Sequence, residues 1–226
     1  MIDYGTDVSD ETFEHLADEY DKWFEQHPLV YESELEALKS LLPACRLGLE
    51  VGVGSGRFAV PLGFGIGVEP ATAMGKIAAQ RGVRVVNAVA EALPFADHAF
   101  DCVLLVTTVC FLDSLSSSFR EIYRVLEAGG CVLIGLVDKR SPLGKAYEKR
   151  RRTSRFYQQA HFRSVAEIEQ QLQQAGFGNF QFAQTLFHPL DTIIEKEPVK
   201  TGYGSGAFVV VRANKLPSPV TNASNE

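Results

Sequence analysis

LGLEVGVGSGRF, residues 47–58, decides how the rest of the chain is read. A short apolar run ends in Glu50, glycines follow at 52, 54 and 56, and a helical pattern opens near Arg57. Glycines there let the backbone turn sharply out of a strand and let a ligand lie against main-chain N–H and C=O groups, because no Cβ intervenes. The spacing predicts a small-molecule site at the carboxyl end of that strand. Nineteen residues after Glu50, IGVEP puts Glu69 at the end of a second strand, where a carboxylate accepts both hydrogen bonds of a ribose diol. Together the two features describe a nucleoside-containing ligand. A dinucleotide fingerprint needs G-x-G-x-x-G, and counting from Gly52 the last position is Arg57. The pattern present is E-x-G-x-G-x-G, whose leading acid suits a ligand carrying an ammonium group.

Outward from this stretch, short apolar runs alternate with helical ones. IGVEP precedes ATAMGKIAAQRG, VRVVNAVA precedes a loop, FDCVLLVTT precedes the helix LSSSFREIYRVLEAGG, and CVLIGLVD follows it. Strands separated by helices predict an α/β fold: a Rossmann-like, doubly wound sheet of about seven strands, mostly parallel with an antiparallel last strand, and helices on both faces. The connection from Gly56 to Glu69 is short, so the first crossover helix must be abbreviated. Ahead of the sheet, Phe13, Leu16, Tyr20, Trp23 and Phe24, then Leu35, Leu38, Leu41 and Leu42, give helical spacing in two segments broken at His27-Pro28. Behind it, residues 139–161 read as a basic helical insertion. SVAEIEQQLQQAG reads as a helix with Ser164 as N-cap and Gly176 at its end. FGNFQFAQTLF and GAFVVVRAN read as two closing strands joined through residues 188–205. The expected organisation is one domain over 1–215, with a helical cap over 1–46, a cofactor core over 47–137 and acceptor-side elements over 138–215. A disordered tail is expected over 216–226.

Composition excludes several classes. With 226 residues, 46% of them hydrophobic and a net charge of −6, the chain is long enough to bury a core without staples. Its apolar runs are far shorter than the roughly 18 residues a membrane span needs. The start lacks the basic and apolar regions of a secretory signal, which predicts a cytoplasmic protein. Cys45, Cys102, Cys110 and Cys131 are scattered without a CxxC, so neither a disulfide framework nor a metal site is expected. The charge is divided: residues 1–40 hold twelve acids against two lysines, and residues 139–155 hold eight bases against one acid. The basic stretch KAYEKRRRTSR reads as a solvated helix face, with attraction of an anionic acceptor as the alternative. No nucleic-acid partner is expected.

EVGVGSGRF, GVEP with Met74 after it, AEALPFADHAFD over 90–101 and YRVLEAGGCVLIG over 123–135 resemble the class I S-adenosylmethionine-dependent methyltransferases. Within that family they are most similar to the type 11 group, which includes ubiquinone and menaquinone biosynthesis methylases. The resemblance implies S-adenosyl-L-methionine as cofactor, S-adenosyl-L-homocysteine as product and a small-molecule acceptor, with anionic character allowed. It implies that Glu50, Gly52, Val53, Gly54 and Gly56 hold the methionine part. Glu69, Pro70 and Met74 would serve the ribose side, Ala90 and Glu91 the adenine edge, and Thr107 and Thr108 the floor under the sulfonium. Tyr20 and Trp23 would cover the pocket. The chain departs from the group at Val89, where an acid often stands, and at Cys110 and Phe111, where many relatives have a His pair, which makes that wall of the acceptor pocket more apolar. TTVC replaces the N/D-P-P-Y/F tetrapeptide of nucleic-acid methylases.

Methyl transfer from a sulfonium needs alignment and dryness more than acid–base help, although an oxygen or nitrogen acceptor can require a base. Asp138, at the end of the fifth strand, and His161 and His188, in the region that varies, are the candidates, with Tyr157 and Tyr203 as candidate lining residues of the pocket. The rival readings are an NAD(P)-dependent oxidoreductase on the same kind of sheet and a non-catalytic S-adenosylmethionine-binding protein.

Overall fold

The computed structural model describes residues 8–217. Two helices lead, α1 (Val8–Gln26) and α2 (Pro28–Leu41), with Pro28 opening the second as its first residue. Then come β1 (Gly48–Val51), α3 (Ala59–Leu62), β2 (Ile66–Val68), α4 (Thr72–Gln80), β3 (Arg84–Val86), β4 (Phe100–Val106), α5 (Leu115–Val125), β5 (Leu126–Val137), α6 (Pro142–Arg150), α7 (Val165–Gln174), β6 (Phe177–Thr185), β7 (Lys200–Thr201) and β8 (Phe208–Lys215).

The eight strands form one sheet in the order β3-β2-β1-β4-β5-β8-β6-β7. β3 to β5 are parallel, while β8, β6 and β7 pair antiparallel. The expected architecture holds. The eighth strand is the two-residue β7, too short to show as a pattern. The order reverses at β1 and β4, and there an open α/β sheet leaves its ligand crevice beyond the carboxyl ends.

Strand alternation sorts the core into two layers. Val103 and Leu105 of β4, with Val132, Ile134 and Leu136 of β5, face α5 and α7. Cys102, Leu104 and Val106, with Cys131 and Leu133, face α1 and α2. α5 buries Leu115, Phe119, Ile122 and Val125 at steps of three and four, the stripe an amphipathic helix lays on a sheet. On the α2 side Gly135 is a gap: a Cβ there would stand 2.6 Å from Phe208 Cζ and 3.3 Å from both Leu38 Cδ2 and Val106 Cγ1. The missing side chain lets Phe208 cross β5 and lets α2 settle on the sheet.

Local expectations fare unevenly. α3 is a single turn, as the short connection requires. α7 starts at a full capping box, Ser164 Oγ accepting from Glu167 N and Glu167 returning the bond to Ser164 N at 2.6 Å, and Gly176 follows it at φ +98°. The helix expected through Gly130 ends instead at Val125. Leu126 already pairs with Phe100, and Gly129 (φ +77°) with Gly130 carries a register shift that brings Cys131 opposite Cys102. The basic insertion is helical over α6 and a short 3-10 turn at Arg151–Thr153. The tail expected over 216–226 falls outside the described residues beyond Pro217.

Candidate active site

β1 ends at Val51, and the chain then turns through Gly52, Gly54 and Gly56 at φ +69°, +53° and +80°, left-handed values that glycine adopts without strain. The turn is tied to β2, since Gly52 N and Val53 N both donate to Val68 O at 2.9 Å. A Cβ on Gly52 would lie 2.4 Å from Thr108 Cγ2, and one on Gly56 would lie 3.2 Å from Ala78 Cα in α4. Gly52 thus admits the threonine floor and Gly56 admits the neighbouring helix.

Beyond this turn lies a cavity of about 630 Å³. Val51, Gly52, Gly54 and Val68 form its inner wall, and Glu69, Pro70, Thr72 and Met74 one flank. Asn87 to Glu91 form another, and Val106, Thr107, Thr108, Phe111, Leu112 and Asp113 form the floor and far side. Phe13 and Tyr20 of α1 close it from above. Ten of the residues expected to bind cofactor meet here: Gly52, Gly54, Glu69, Pro70, Met74, Ala90, Glu91, Thr107, Thr108 and Tyr20. Glu50, Val53 and Gly56 stand behind the wall, and Val53 packs where a Cβ on Gly67 would come within 2.6 Å of it.

Glu69 is the organising acid. Its Oε2 accepts from Gly54 N (2.8 Å) and its Oε1 from Ala71 N (3.0 Å), so it joins the glycine turn to the start of α4. Glu50 is 1% exposed, and its Oε2 has no hydrogen-bond partner among the described residues. Burial, and then the negative charge of Glu69, raise its carboxyl well above the usual range, against one opposing bond from the Ala59 N–H. A buried acid with one oxygen unpartnered behind the turn, and a second acid fixed at the next strand end, fit a ligand that brings both a cation and a diol. Thr107 has φ +53°, unusual for a β-branched residue, and is held there by its N–H donating to Gly135 O at 2.8 Å. Thr108 Oγ1 donates to Val106 O at 3.1 Å.

The cover is tied down by charge. Asp21 of α1 receives Arg57 Nε (2.8 Å) and Nη2 (2.7 Å), both Nη atoms of Arg81 (2.8 and 2.7 Å) and Ser55 Oγ (2.6 Å). Burial alone would raise its carboxyl, but the two guanidinium groups hold it well below the carboxylate range. Arg57, the residue that breaks the dinucleotide pattern, is therefore half of a clamp between glycine turn and cover. Arg155 of the basic insertion pairs with Glu19 of α1 at 2.9 Å, so the two oppositely charged segments meet.

Other expected residues lie elsewhere or are otherwise engaged. Glu91 lines the cavity, yet its Oε1 accepts from Ser114 N (3.2 Å) and Ser118 Oγ (2.9 Å) at the start of α5. Trp23 stacks on His27 at 4.6 Å, outside the cavity lining. Asp138 is buried, with Oδ1 accepting from Arg140 N at 3.0 Å, and His161 is exposed, its N–H donating to Cys110 O; neither lines the cavity. Phe111 lines the cavity, on the apolar wall expected of it, whereas Phe13 and Asp113 were not anticipated there: Phe13 reads as one more apolar position of a helical stripe, and Asp113 has no spacing that signals a ligand. No cluster that could hold a metal exists among the described residues, and no described helix is long and apolar enough to cross a membrane.

Comparison with known proteins gives this geometry its context. The type 11 methyltransferase domain model matches residues 49–134. An uncharacterized protein of Methanocaldococcus jannaschii is 44% identical over 204 residues, covering 90% of this chain and 98% of that one. The demethylmenaquinone methyltransferase of Roseiflexus castenholzii is 38% identical over 101 residues, 40% of this chain and 42% of that one. Among solved structures, an S-adenosylmethionine-dependent methyltransferase of Thermotoga maritima, described as a possible histamine N-methyltransferase, superposes with a TM-score of 0.88. It is 49% identical, over 91% of this chain and 99% of that chain.

Proposed function

The chain belongs to the class I S-adenosylmethionine-dependent methyltransferases of type 11, and from that premise we propose that it methylates a small-molecule acceptor in the aromatic part of the cavity. The observation that carries this reading is the single 630 Å³ cavity running from the glycine turn and Glu69 to Phe13, Tyr20 and Phe111. It has room for a nucleoside at one end and an apolar body at the other.

S-adenosylmethionine supplies a methyl group on a sulfonium that leaves as a neutral thioether. The chain's own contribution is alignment and dryness. The Gly52–Gly56 turn offers main-chain groups to the methionine part, Glu50 stands behind it as counter-charge, and Glu69 takes the ribose hydroxyls on oxygens already oriented by Gly54 N and Ala71 N. Thr107 and Thr108 lie between that end and Phe111, where the acceptor atom must approach in line. Phe13 and Tyr20 exclude water from above, which favours a reaction that disperses charge. Asp138 and His161 are proposed only as groups at the rim of the acceptor side.

Thermal unfolding with added nucleotides tests this. S-adenosylhomocysteine is expected to raise the midpoint and NAD(H) to leave it unchanged; stabilisation by NAD(H) alone would favour the oxidoreductase reading. Release of S-adenosylhomocysteine across a panel of amines, phenols and carboxylates then separates an enzyme from a binding protein.

A further inference from the structure

Three of the four cysteines lie side by side at the amino end of the sheet, opposite the cofactor crevice. Cys102 and Cys131 are register partners on the parallel strands β4 and β5, both buried on the α2 side, and Cys131 Sγ stands 3.7 Å from Cys102 Sγ. On the other flank of Cys102 its register partner in β1 is Gly48. Gly48 leaves a gap over the strand, and the preceding loop fills it with Cys45: a Cβ on Gly48 would stand 2.9 Å from Cys45 Sγ. Neighbouring strands are about 4.8 Å apart, so the three sulfurs form a row across β1, β4 and β5 with Cys102 in the middle. Hydrogen bonding to Cys131, and then to Cys45, raises the Cys102 thiol above its ordinary value.

The two ends of the row differ. Cys45 is exposed, whereas Cys102 and Cys131 are 1% and 2% exposed. At the outer end Asp101 accepts from Cys45 Sγ (3.1 Å), Arg46 N (2.7 Å) and Leu47 N (3.0 Å), which fixes the loop on the start of β4 and sets a carboxylate beside the exposed thiol. At the inner end stands Arg212, two positions along β8 from the register partner of Cys131. Its Nε is buried without a hydrogen-bond partner among the described residues. Hydrogen bonding to Cys102, and then the Arg212 charge against the opposing effect of burial, hold the Cys131 thiol below its ordinary value. An outer thiol open to solvent, a central one and an inner one favoured as thiolate stand in the order that sulfur exchange requires: leaving sulfur, attacked sulfur, nucleophile.

We propose that these cysteines form a peroxide-reactive site, in which oxidation taken up at Cys45 is stored as a buried disulfide between Cys102 and Cys131. Cys45 Sγ attacks one oxygen of hydrogen peroxide and becomes a sulfenic acid, while its proton passes through Asp101 to the departing hydroxide, which leaves as water. Cys102 Sγ displaces the sulfenic hydroxyl, which takes the Cys102 proton and leaves as a second water. Cys131 Sγ then attacks Cys102 Sγ from the opposite side, and Cys45 leaves with the proton that Cys131 gives up. In sum two thiols are oxidised to one disulfide, one peroxide is reduced to two waters, and Cys45 is restored. Register partners about 4.8 Å apart are within the roughly 4.4–6.8 Å that a disulfide spans between Cα atoms. The three cysteines line neither the large cavity nor the small one beside Cys110, so the site stands apart from the methyltransferase reading.

Treatment of the full chain with a small molar excess of hydrogen peroxide, then alkylation in denaturant and peptide mass mapping, tests the proposal. The wild type is expected to lose two hydrogens, to yield linked peptides containing Cys102 and Cys131, and to leave Cys45 and Cys110 open to alkylation. Cys45→Ser, a change at an exposed position, is expected to form that link at least tenfold more slowly. Cys131→Ser is expected to stop at a disulfide between Cys45 and Cys102, so the result does not hang on one variant folding. A Cys102–Cys131 link that forms as fast in Cys45→Ser as in the wild type, oxidation of Cys45 to a sulfinic or sulfonic acid with no disulfide, or four thiols still open to alkylation after treatment would overturn the site.

Discussion

Glu50 and Glu69 sit at the ends of neighbouring strands and repel one another through the turn between them. Glu69 is answered by two donors, Gly54 N and Ala71 N, and Glu50 by the Ala59 N–H with its Oε2 left unpartnered among the described residues, so Glu69 is the acid ready to accept hydroxyls. Glu69→Ala is expected to weaken S-adenosylhomocysteine binding by about 1.5–3 kcal/mol, the scale of lost charge-assisted hydrogen bonds, as read by titration calorimetry. Glu34, buried on α2, gives a stability prediction with a definite sign. Its folded-state carboxyl near 8 lies above its ordinary value, so the folded chain holds a proton that the unfolded chain has already lost as pH rises. Stability contributed by that proton is complete at acid pH and declines from the ordinary carboxylate range up to about pH 8. Glu34→Gln should therefore melt several degrees above wild type at pH 8 and close to it at pH 4.5. Matched melting curves at the two pH values check this. Glu69 was legible because its distance from the glycine turn is fixed by one crossover. Glu34 was not, because an acid on an amphipathic helix looks the same whether it faces water or the core.

Among the elements, α1 depends most on a single residue. Among the described residues Asp21 is the one acid meeting both Arg57 and Arg81; without it Arg57 keeps the exposed Glu25 at 2.8 Å and Arg81 keeps the Ser55 carbonyl at 2.6 Å. Asp21→Ala is expected to cost about 2–3 kcal/mol in denaturant unfolding, the cost of stranding partly buried charges discounted for their exposure. The same carboxyl is held low by its guanidinium partners, so its contribution is present at neutral pH and lost only as pH falls below the normal carboxylate range. Cofactor affinity should fall along with stability, since Ser55 and Arg57 belong to the glycine turn. Where a local signal is chemically complete, the element could be read ahead of the structure, as with Ser164 and Glu167 around the start of α7. The end of α5 could not be read this way. VLEAGG has helical composition, and only the pairing of Leu126 with Phe100, 26 positions earlier in the sequence, turns it into strand.

At the scale of the whole molecule, the parallel half of the sheet was legible because each βα unit carries its own punctuation, while β7 exists only because Gln184 finds Lys200 across the closing loop. The opposed charges of the two ends were visible in the sequence, but their meeting through Arg155 and Glu19 depends on the fold. The contact between α2 and the sheet depends on Gly135. Gly135→Ala is expected to destabilise the chain by about 1–3 kcal/mol in denaturant unfolding, because the methyl must displace Phe208 or Leu38.

That gap also bears on how such a protein diversifies. The position that admits α2 is buried in the sheet and lines neither cavity, yet it sets the height at which α2 sits. The glycine turn and Glu69 rest on other strands and helices. A lineage could therefore shift one helix over the sheet through small substitutions in its seat, leaving the glycine turn and Glu69 in place.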